Sequence, residues 1–224
     1  MKPKAIIPFK KKGAKSRLGT FLSEQEREEL AIRMLMDVLD ALACSEVGGE
    51  IGIITTSTRD ELIEELDIPQ RAWSTKLSVR EDGRGLDEVL NELLNAEREP
   101  ILIIMADIPL VTSESINRIF LHEEDVVVMP GRNGGTNALF LRRPNEFSVS
   151  YYGISCLEHI ETAKSRNMTY AVHDSFFIGV DIDEVEDLLE LLIHGRGASM
   201  QYLREIGVHI RVDKESKMRA GVVR

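Results

Sequence analysis

Apolar residues along this chain fall into two recurring patterns. Ala5 to Phe9, Ile51 to Ile54, Ile101 to Met105 and Asp125 to Met129 are short, almost unbroken apolar runs. Such runs suit strands buried on both faces of a parallel sheet, because neither face needs polar alternation. Between them the apolar positions shift to helical spacing, at Leu30, Met34, Leu35, Val38, Leu39 and Leu42, and again at Leu86, Val89, Leu90, Leu93 and Leu94. Ser23 with Glu26, Thr58 with Glu61 and Ser155 with Glu158 have the spacing of capping boxes at helix starts. Ser113 is the expected cap of a helix through Leu121. Strand, helix, strand, helix in this order predicts a parallel sheet joined by crossover helices.

Two stretches interrupt the rhythm. Residues 69–84 hold the only tryptophan, Trp73, and end in the turn-like Asp82-Gly83-Arg84-Gly85; the pattern leaves them unassigned. Gly131 to Gly135 is too short for a helical crossover, so the strand Thr136 to Leu141 is expected to run antiparallel to its neighbour. Thr169 to Val172 and Phe177 to Ile182 read as further strands. Helices follow over Val185 to Ile193 and Ala198 to Ile206, then a last strand over Val208 to Val212. The expectation is one α/β domain over residues 1–212, a mixed and mostly parallel sheet with helices on both faces, followed by a charged, mobile tail over 213–224.

Charge sharpens this picture through its distribution. The net charge is −10, yet residues 1–17 carry Lys2, Lys4, Lys10, Lys11, Lys12, Lys15 and Arg17 and no acid. An acidic body excludes general nucleic-acid binding, which needs a broad basic surface. A basic loop on such a body fits a small polyphosphate ligand. No apolar run approaches a membrane span, and Ala5 to Phe9 is too short for a signal-peptide core, so a cytoplasmic protein is expected. Cys44 and Cys156 have no metal-ligand spacing.

Three features could meet at the carboxyl edge of the sheet, where open α/β sheets bind ligands. The loop after the first strand carries Gly13, Lys15, Ser16 and Arg17, the makings of a phosphate cradle, although it matches neither a Walker A loop nor a dinucleotide fingerprint. Asp107 ends the central strand, just before Pro109. Asp181 and Asp183 end a later strand and point to one side of it. Hard divalent cations such as Mg²⁺ are held by one or two carboxylates together with substrate phosphates. Asp183 could equally cap the next helix, with Glu186 completing a capping box. Gly134-Gly135-Thr136-Asn137 and Tyr152-Gly153-Ile154-Ser155 are candidate anion sites. His159 lies one turn beyond Ser155, but no strained elbow surrounds the serine, so the pair does not read as nucleophile and base.

Taken together, several motifs resemble the 2-phospho-L-lactate guanylyltransferase family. They are Ala5-Ile6-Ile7-Pro8-Phe9-Lys10 with Ala14-Lys15-Ser16-Arg17-Leu18, Met34-Leu35-Met36-Asp37-Val38, Ala106-Asp107-Ile108-Pro109, Gly135-Thr136-Asn137-Ala138-Leu139, Tyr152-Gly153 and Asp181-Ile182-Asp183. The resemblance implies the Rossmann-like nucleotide-diphospho-sugar transferase fold. It implies transfer of GMP from GTP to 2-phospho-L-lactate or phosphoenolpyruvate, with release of pyrophosphate, in deazaflavin coenzyme biosynthesis. Carried over by motif, Asp107, Asp181 and Asp183 would hold Mg²⁺, and Lys15 and Arg17 would face the GTP phosphates. Pro8, Lys10, Gly13, Gly85 and Asp107 would complete the nucleotide site, while Thr136, Gly153 and Ser155 would hold the acceptor. Lys15, Arg17 and Asp107 would be the catalytic residues. One departure stands out: family members often have Gly-Leu-Asn where this chain has Gly85-Leu86-Asp87, which keeps an acceptor oxygen and loses the amide donor. The rival readings are another nucleotidyltransferase of the same fold and a non-catalytic nucleotide-binding protein. The sequence leaves the base, the acceptor and the oligomeric state open, a homodimer being the working expectation.

Overall fold

In the computed structural model, which describes residues 3–47, 49–66, 76–212 and 220–224, the alternating pattern becomes a seven-stranded sheet. Its strands are β1 (Lys4–Phe9), β2 (Glu50–Thr55), β3 (Lys76–Glu81), β4 (Ile101–Ile104), β5 (Val126–Pro130), β6 (Thr136–Leu141) and β7 (Tyr170–Val172), in the order β3-β2-β1-β4-β6-β5-β7. Six of them run parallel; β6 is antiparallel to both β4 and β5, as the short Gly131–Gly135 connection requires. The helices are α1 (Glu24–Ala43), α2 (Arg59–Glu65), α3 (Leu86–Ala96), α4 (Ser113–Ile119), α5 (Ser155–Ser165), α6 (Phe176–Gly179), α7 (Asp187–His194) and α8 (Ala198–Glu205).

The unbroken apolar runs are explained by two cores, one on each face of the sheet. Leu102 and Ile104 of β4, Val127 and Met129 of β5, and Ala138 and Phe140 of β6 belong to the core under α1, α4 and α8. Their alternates Ile101, Ile103, Val126, Val128, Leu139 and Leu141 belong to the core under α3 and α5. Each such side chain, fully buried, contributes roughly 1.5–3 kcal/mol. α1 starts at the expected capping box, Ser23 accepting from the Glu26 N–H and Glu26 from the Ser23 N–H. At its other face, the Asp37 carboxylate accepts from the Ala198 N–H at 2.6 Å and from the N–H and hydroxyl of Ser199, which caps α8 from a neighbouring helix.

Several local expectations are corrected. Phe177 to Ile182 is not a strand: Phe176–Gly179 forms a helical turn, and the extended residues after it make one bond to the sheet edge, from Ile182 N–H to the Asp107 carbonyl at 3.0 Å. A short apolar run does not by itself distinguish strand from helix. Lys76–Glu81, unassigned by pattern, is the edge strand β3, whose positions are intermediate or exposed. Trp73 and residues 69–75 lie outside the described residues. Thr112 rather than Ser113 caps α4. Ser155 caps nothing and is the first residue of α5. The tail is partly structured: Gly221–Val223 forms β9, pairing antiparallel with β8 (His209–Arg211), and the Arg224 guanidinium pairs with Glu26. Residues 213–219 lie outside the described residues.

Candidate active site

β1, β4 and β6 bring the predicted residues to one edge of the sheet. β1 ends at Phe9, and the chain turns through Gly13, at φ 68°, into a short 3-10 turn over Ser16–Thr20. Lys15 precedes that turn in the left-handed region, at φ 54° and ψ 42°. A non-glycine residue held there is strained, and strain of this kind is retained where neighbouring structure over-determines the residue. Here the neighbours are two carboxylates. The Lys15 ammonium donates to Asp107 Oδ2 at 2.6 Å and to Asp183 Oδ1 at 2.7 Å, with only 9% of the side chain exposed. Burial alone would lower the pKa of this ammonium, but the Asp107 and Asp183 charges outweigh it and hold it above the ordinary value.

Asp183 does not cap a helix. No side chain caps α7: the backbone N–H groups of Asp183 and Glu184 donate to Asp187, the first residue of that helix, and the Asp183 carboxylate is left for Lys15. Arg17, two-thirds exposed, reaches Asp183 only at 3.7 Å. Asp181 takes a different partner. Asn137 Nδ2 donates to its Oδ1 at 3.3 Å and to the Ile178 carbonyl at 2.8 Å. Burial raises the pKa of Asp181, partly offset by Asn137 and reinforced by the Asp107 and Asp183 charges nearby. Three carboxylates therefore share one electrostatic environment, and two of them converge on a single cation. Carboxylate oxygens are also the donor type a hard divalent ion takes, so the set fits Mg²⁺ on condition that Lys15 yields part of its place. Among the described residues no three-ligand cluster is already formed.

Beside this charged centre lie two adjoining cavities. One, of about 220 Å³, is lined by Pro8, Lys10, Ala14, Lys15, Met34 and Asp107. The other, of about 430 Å³, shares Pro8 and Lys10 and extends past Thr55 to Asp82, Arg84 and Leu86. Its floor is organised by ion pairs in which Arg84 meets Asp82 at 2.7 Å and Glu92 at 2.6 Å. Gly85 is the residue before α3. Part of the basic N-terminus is committed elsewhere, Lys4 to Glu97 and Lys11 to Glu65.

Two of the predicted acceptor residues, Thr136 and Ser155, form a separate, neutral cluster with His159. Met105 N–H donates to the Asn137 carbonyl at 2.8 Å, continuing the β4–β6 ladder and setting the start of β6 beside the Asp107 turn. Ser155 Oγ lies 3.1 Å from Thr136 Oγ1, and Thr136 Oγ1 lies 3.0 Å from His159 Nδ1. Thr136, Ser155 and His159 are all buried; Gly153, at φ 73°, is exposed. A Cβ on Gly134 would stand 2.7 Å from the Ile154 side chain, so the turn before β6 packs directly on the start of α5. The substituted position of the Gly85-Leu86-Asp87 motif bears on this cluster too, since Asp87 Oδ1 accepts the Tyr151 N–H at 2.9 Å. An acceptor oxygen is all that contact requires. Asn137 and Asp87 stood within motifs in the sequence without a role of their own, and His159 was set aside as a base for Ser155, although its helical spacing from Ser155 was the signal that placed the two together.

Comparisons with known proteins bear on the family and the fold. The family model described as guanylyl transferase CofC like matches residues 3–224. A 2-phospho-L-lactate guanylyltransferase from Methanosarcina mazei is 44% identical over 200 residues, 89% of this chain and 91% of that protein. One from Methanocella arvoryzae is 39% identical over 224 residues, 97% of this chain and 95% of that protein. Among solved structures, a nucleotidyl transferase from Methanothermobacter superposes with a TM-score of 0.63 at 16% identity, covering 91% of this chain and 99% of that one. A cytidylyltransferase from Leptospira borgpetersenii gives a TM-score of 0.57 at 14% identity, covering 92% and 93%. The structural likenesses carry the fold, which is that of the nucleotidyltransferases, and the sequence matches carry the family: this chain belongs to the CofC-like guanylyl transferases.

Proposed function

We propose that this enzyme transfers GMP from GTP to 2-phospho-L-lactate in deazaflavin coenzyme biosynthesis. The observation that carries the reading is the Lys15 ammonium between Asp107 and Asp183, lining one cavity that shares Pro8 and Lys10 with a second one reaching Arg84 and Leu86. A nucleotide laid along both cavities would place its phosphates over the Gly13–Arg17 loop. An acceptor phosphate oxygen then attacks the α-phosphorus in line. One P–O bond forms, the bond to the β-phosphate breaks, and pyrophosphate departs with the electron pair. An ionised phosphate is already a nucleophile, so no general base is needed.

The contribution of this chain is position and charge. Lys15 and Arg17 offset the negative charge gathered at the phosphates, and the strained Lys15 backbone aims its ammonium without a large entropy cost. Asp107 and Asp183, with Asp181 behind them, would hold Mg²⁺, which supplies further charge neutralisation at the reacting phosphoryl group. Thr136, Gly153 and Ser155, beside the Asp107 turn, would hold the acceptor.

Pyrophosphate release measured with each nucleoside triphosphate against 2-phospho-L-lactate, phosphoenolpyruvate and glyceryl phosphates tests the reading. GTP with 2-phospho-L-lactate is the expected best pair. Equal turnover with another base, or no turnover with any of these acids, overturns it.

A further inference from the structure

His159 has no part in the reaction as proposed, yet it is fully buried and uses both ring nitrogens. The Ser150 N–H points to its Nε2 at 3.2 Å. An amide N–H can only donate, so Nε2 carries no proton, and a neutral ring must then carry its proton on Nδ1. Burial pushes the imidazole pKa down to about 4, which keeps the ring neutral near pH 7. Nδ1–H therefore donates to Thr136 Oγ1 across 3.0 Å.

This sets a count of protons in the cluster. Thr136 and Ser155 bring two hydroxyl protons, and the two oxygens lie 3.1 Å apart. One hydroxyl donates to the other oxygen. Because His159 donates as well, the remaining hydroxyl proton finds no acceptor among the described residues. With the opposite tautomer, Nδ1 would accept from Thr136 and Ser155 would donate to Thr136, so both hydroxyl protons would be used, but Nε2–H would face the Ser150 N–H, donor against donor. The ring thus turns the hydroxyl pair into a net donor, and a net donor beside the Asp107 turn suits an anion.

We propose that His159 is a positioning residue for the acceptor: by fixing the Nδ1–H tautomer it obliges the Thr136–Ser155 pair to present one hydroxyl proton to the anionic acceptor substrate. The proposal rests on the assignment of this cluster to the acceptor. The framework around it is stiff in the same sense. Asn91 exchanges two hydrogen bonds with Val149, at 2.8 and 3.0 Å, and Asp87 holds Tyr151, so α3 grips the segment on either side of Ser150.

The test compares H159N and H159F with the unaltered enzyme. Asparagine places an N–H donor near the position of Nδ1, and phenylalanine keeps the ring shape with no donor. H159F should raise KM for 2-phospho-L-lactate about tenfold or more with KM for GTP unchanged, and H159N should restore most of the difference. Long-range ¹H–¹⁵N spectra of the unaltered protein should show His159 as the Nδ1–H tautomer, a reading that stands if H159F fails to fold. An Nε2–H tautomer, an unchanged acceptor KM in H159F, or equal rises in both KM values overturns the proposal. Failure of the acceptor assignment looks different: the tautomer is Nδ1–H, yet T136V and S155A leave acceptor KM untouched.

Discussion

The two halves of the site are built on opposite principles. The half around Lys15 is charged and partly open, with side-chain exposures of 31% for Asp107 and 40% for Asp183. The half around His159 is neutral, and Thr136 and Ser155 are 3% and 2% exposed. Ion pairs within reach of water are exchangeable, because their net stabilisation is small and an incoming charge can replace a partner. Buried neutral networks are the reverse, since an unmade bond in a dry site costs the full desolvation of the group. The charged half can therefore be remade when polyanionic nucleotide and cation arrive. The neutral half has its heavy atoms set before any ligand binds, with one hydroxyl proton left over for the acceptor.

The sharpest way to break this contrast is at Asp107. Asp107→Asn should lower kcat/KM by about a thousandfold, as expected when a group that holds charge at a reacting phosphoryl centre is lost, while the thermal midpoint moves by only a few degrees. Retained activity would sink the assignment of Asp107 to the reacting centre. At the neutral half the effect should fall on stability instead. With a folded pKa of about 4 against an ordinary 6.5, His159 takes up a proton in the unfolded chain between those values and not in the folded one. Stability from this group is thus complete above pH 6.5 and declines as pH falls toward 4, by up to about 3 kcal/mol. Denaturant titrations of the enzyme and of H159F across pH 4–7 should differ by that slope, and parallel curves would remove His159 as their source.

Lys15 sharpens the comparison from the ligand side. Lys15→Met should cost roughly a hundredfold in kcat/KM. With nucleotide absent it should bind Mn²⁺ more tightly than the unaltered protein, because the ammonium no longer occupies the space between Asp107 and Asp183. Weaker Mn²⁺ binding in the variant, followed by paramagnetic resonance, would show that Lys15 does not compete for that position. The smallest effect belongs to Arg17, which is two-thirds exposed. Arg17→Ala should raise KM for GTP by about tenfold, the scale of one exposed charge contact to phosphate, and leave the denaturation midpoint in place; an unchanged KM would exclude it from the phosphate site.

Much of the fold was legible because it rests on local signals. The runs at Ile101 and Val126 read as strands covered on both faces, as they are, and the capping box at Ser23 marked the start of α1. The antiparallel turn of β6 followed from the length of its connection. What stayed hidden was context. Lys76–Glu81 looks like polar loop because an edge strand packs little apolar surface, and Phe176–Gly179 looks like strand because apolar residues form its turn. Ser155-Cys156-Leu157-Glu158 has the spacing of a capping box, but Ser155 is already inside α5 and its hydroxyl is engaged with Thr136.

The sequence by itself therefore determined most of the strand and helix rhythm, the basic loop, and the place of Asp107 just after the central strand, since periodicity and local chemistry are properties of neighbouring residues. Only the tertiary structure decided how those residues divide their work. Lys15 and Asp107 are 92 positions apart, and Lys15 and Asp183 are 168 apart, yet each pair is joined by one hydrogen bond. Asp183 was drawn to Lys15 rather than to a helix end, and His159 was given its tautomer by the amide of Ser150. Which partner a polar side chain chooses depends on what the folded chain brings within 3 Å, and no local pattern records that distance.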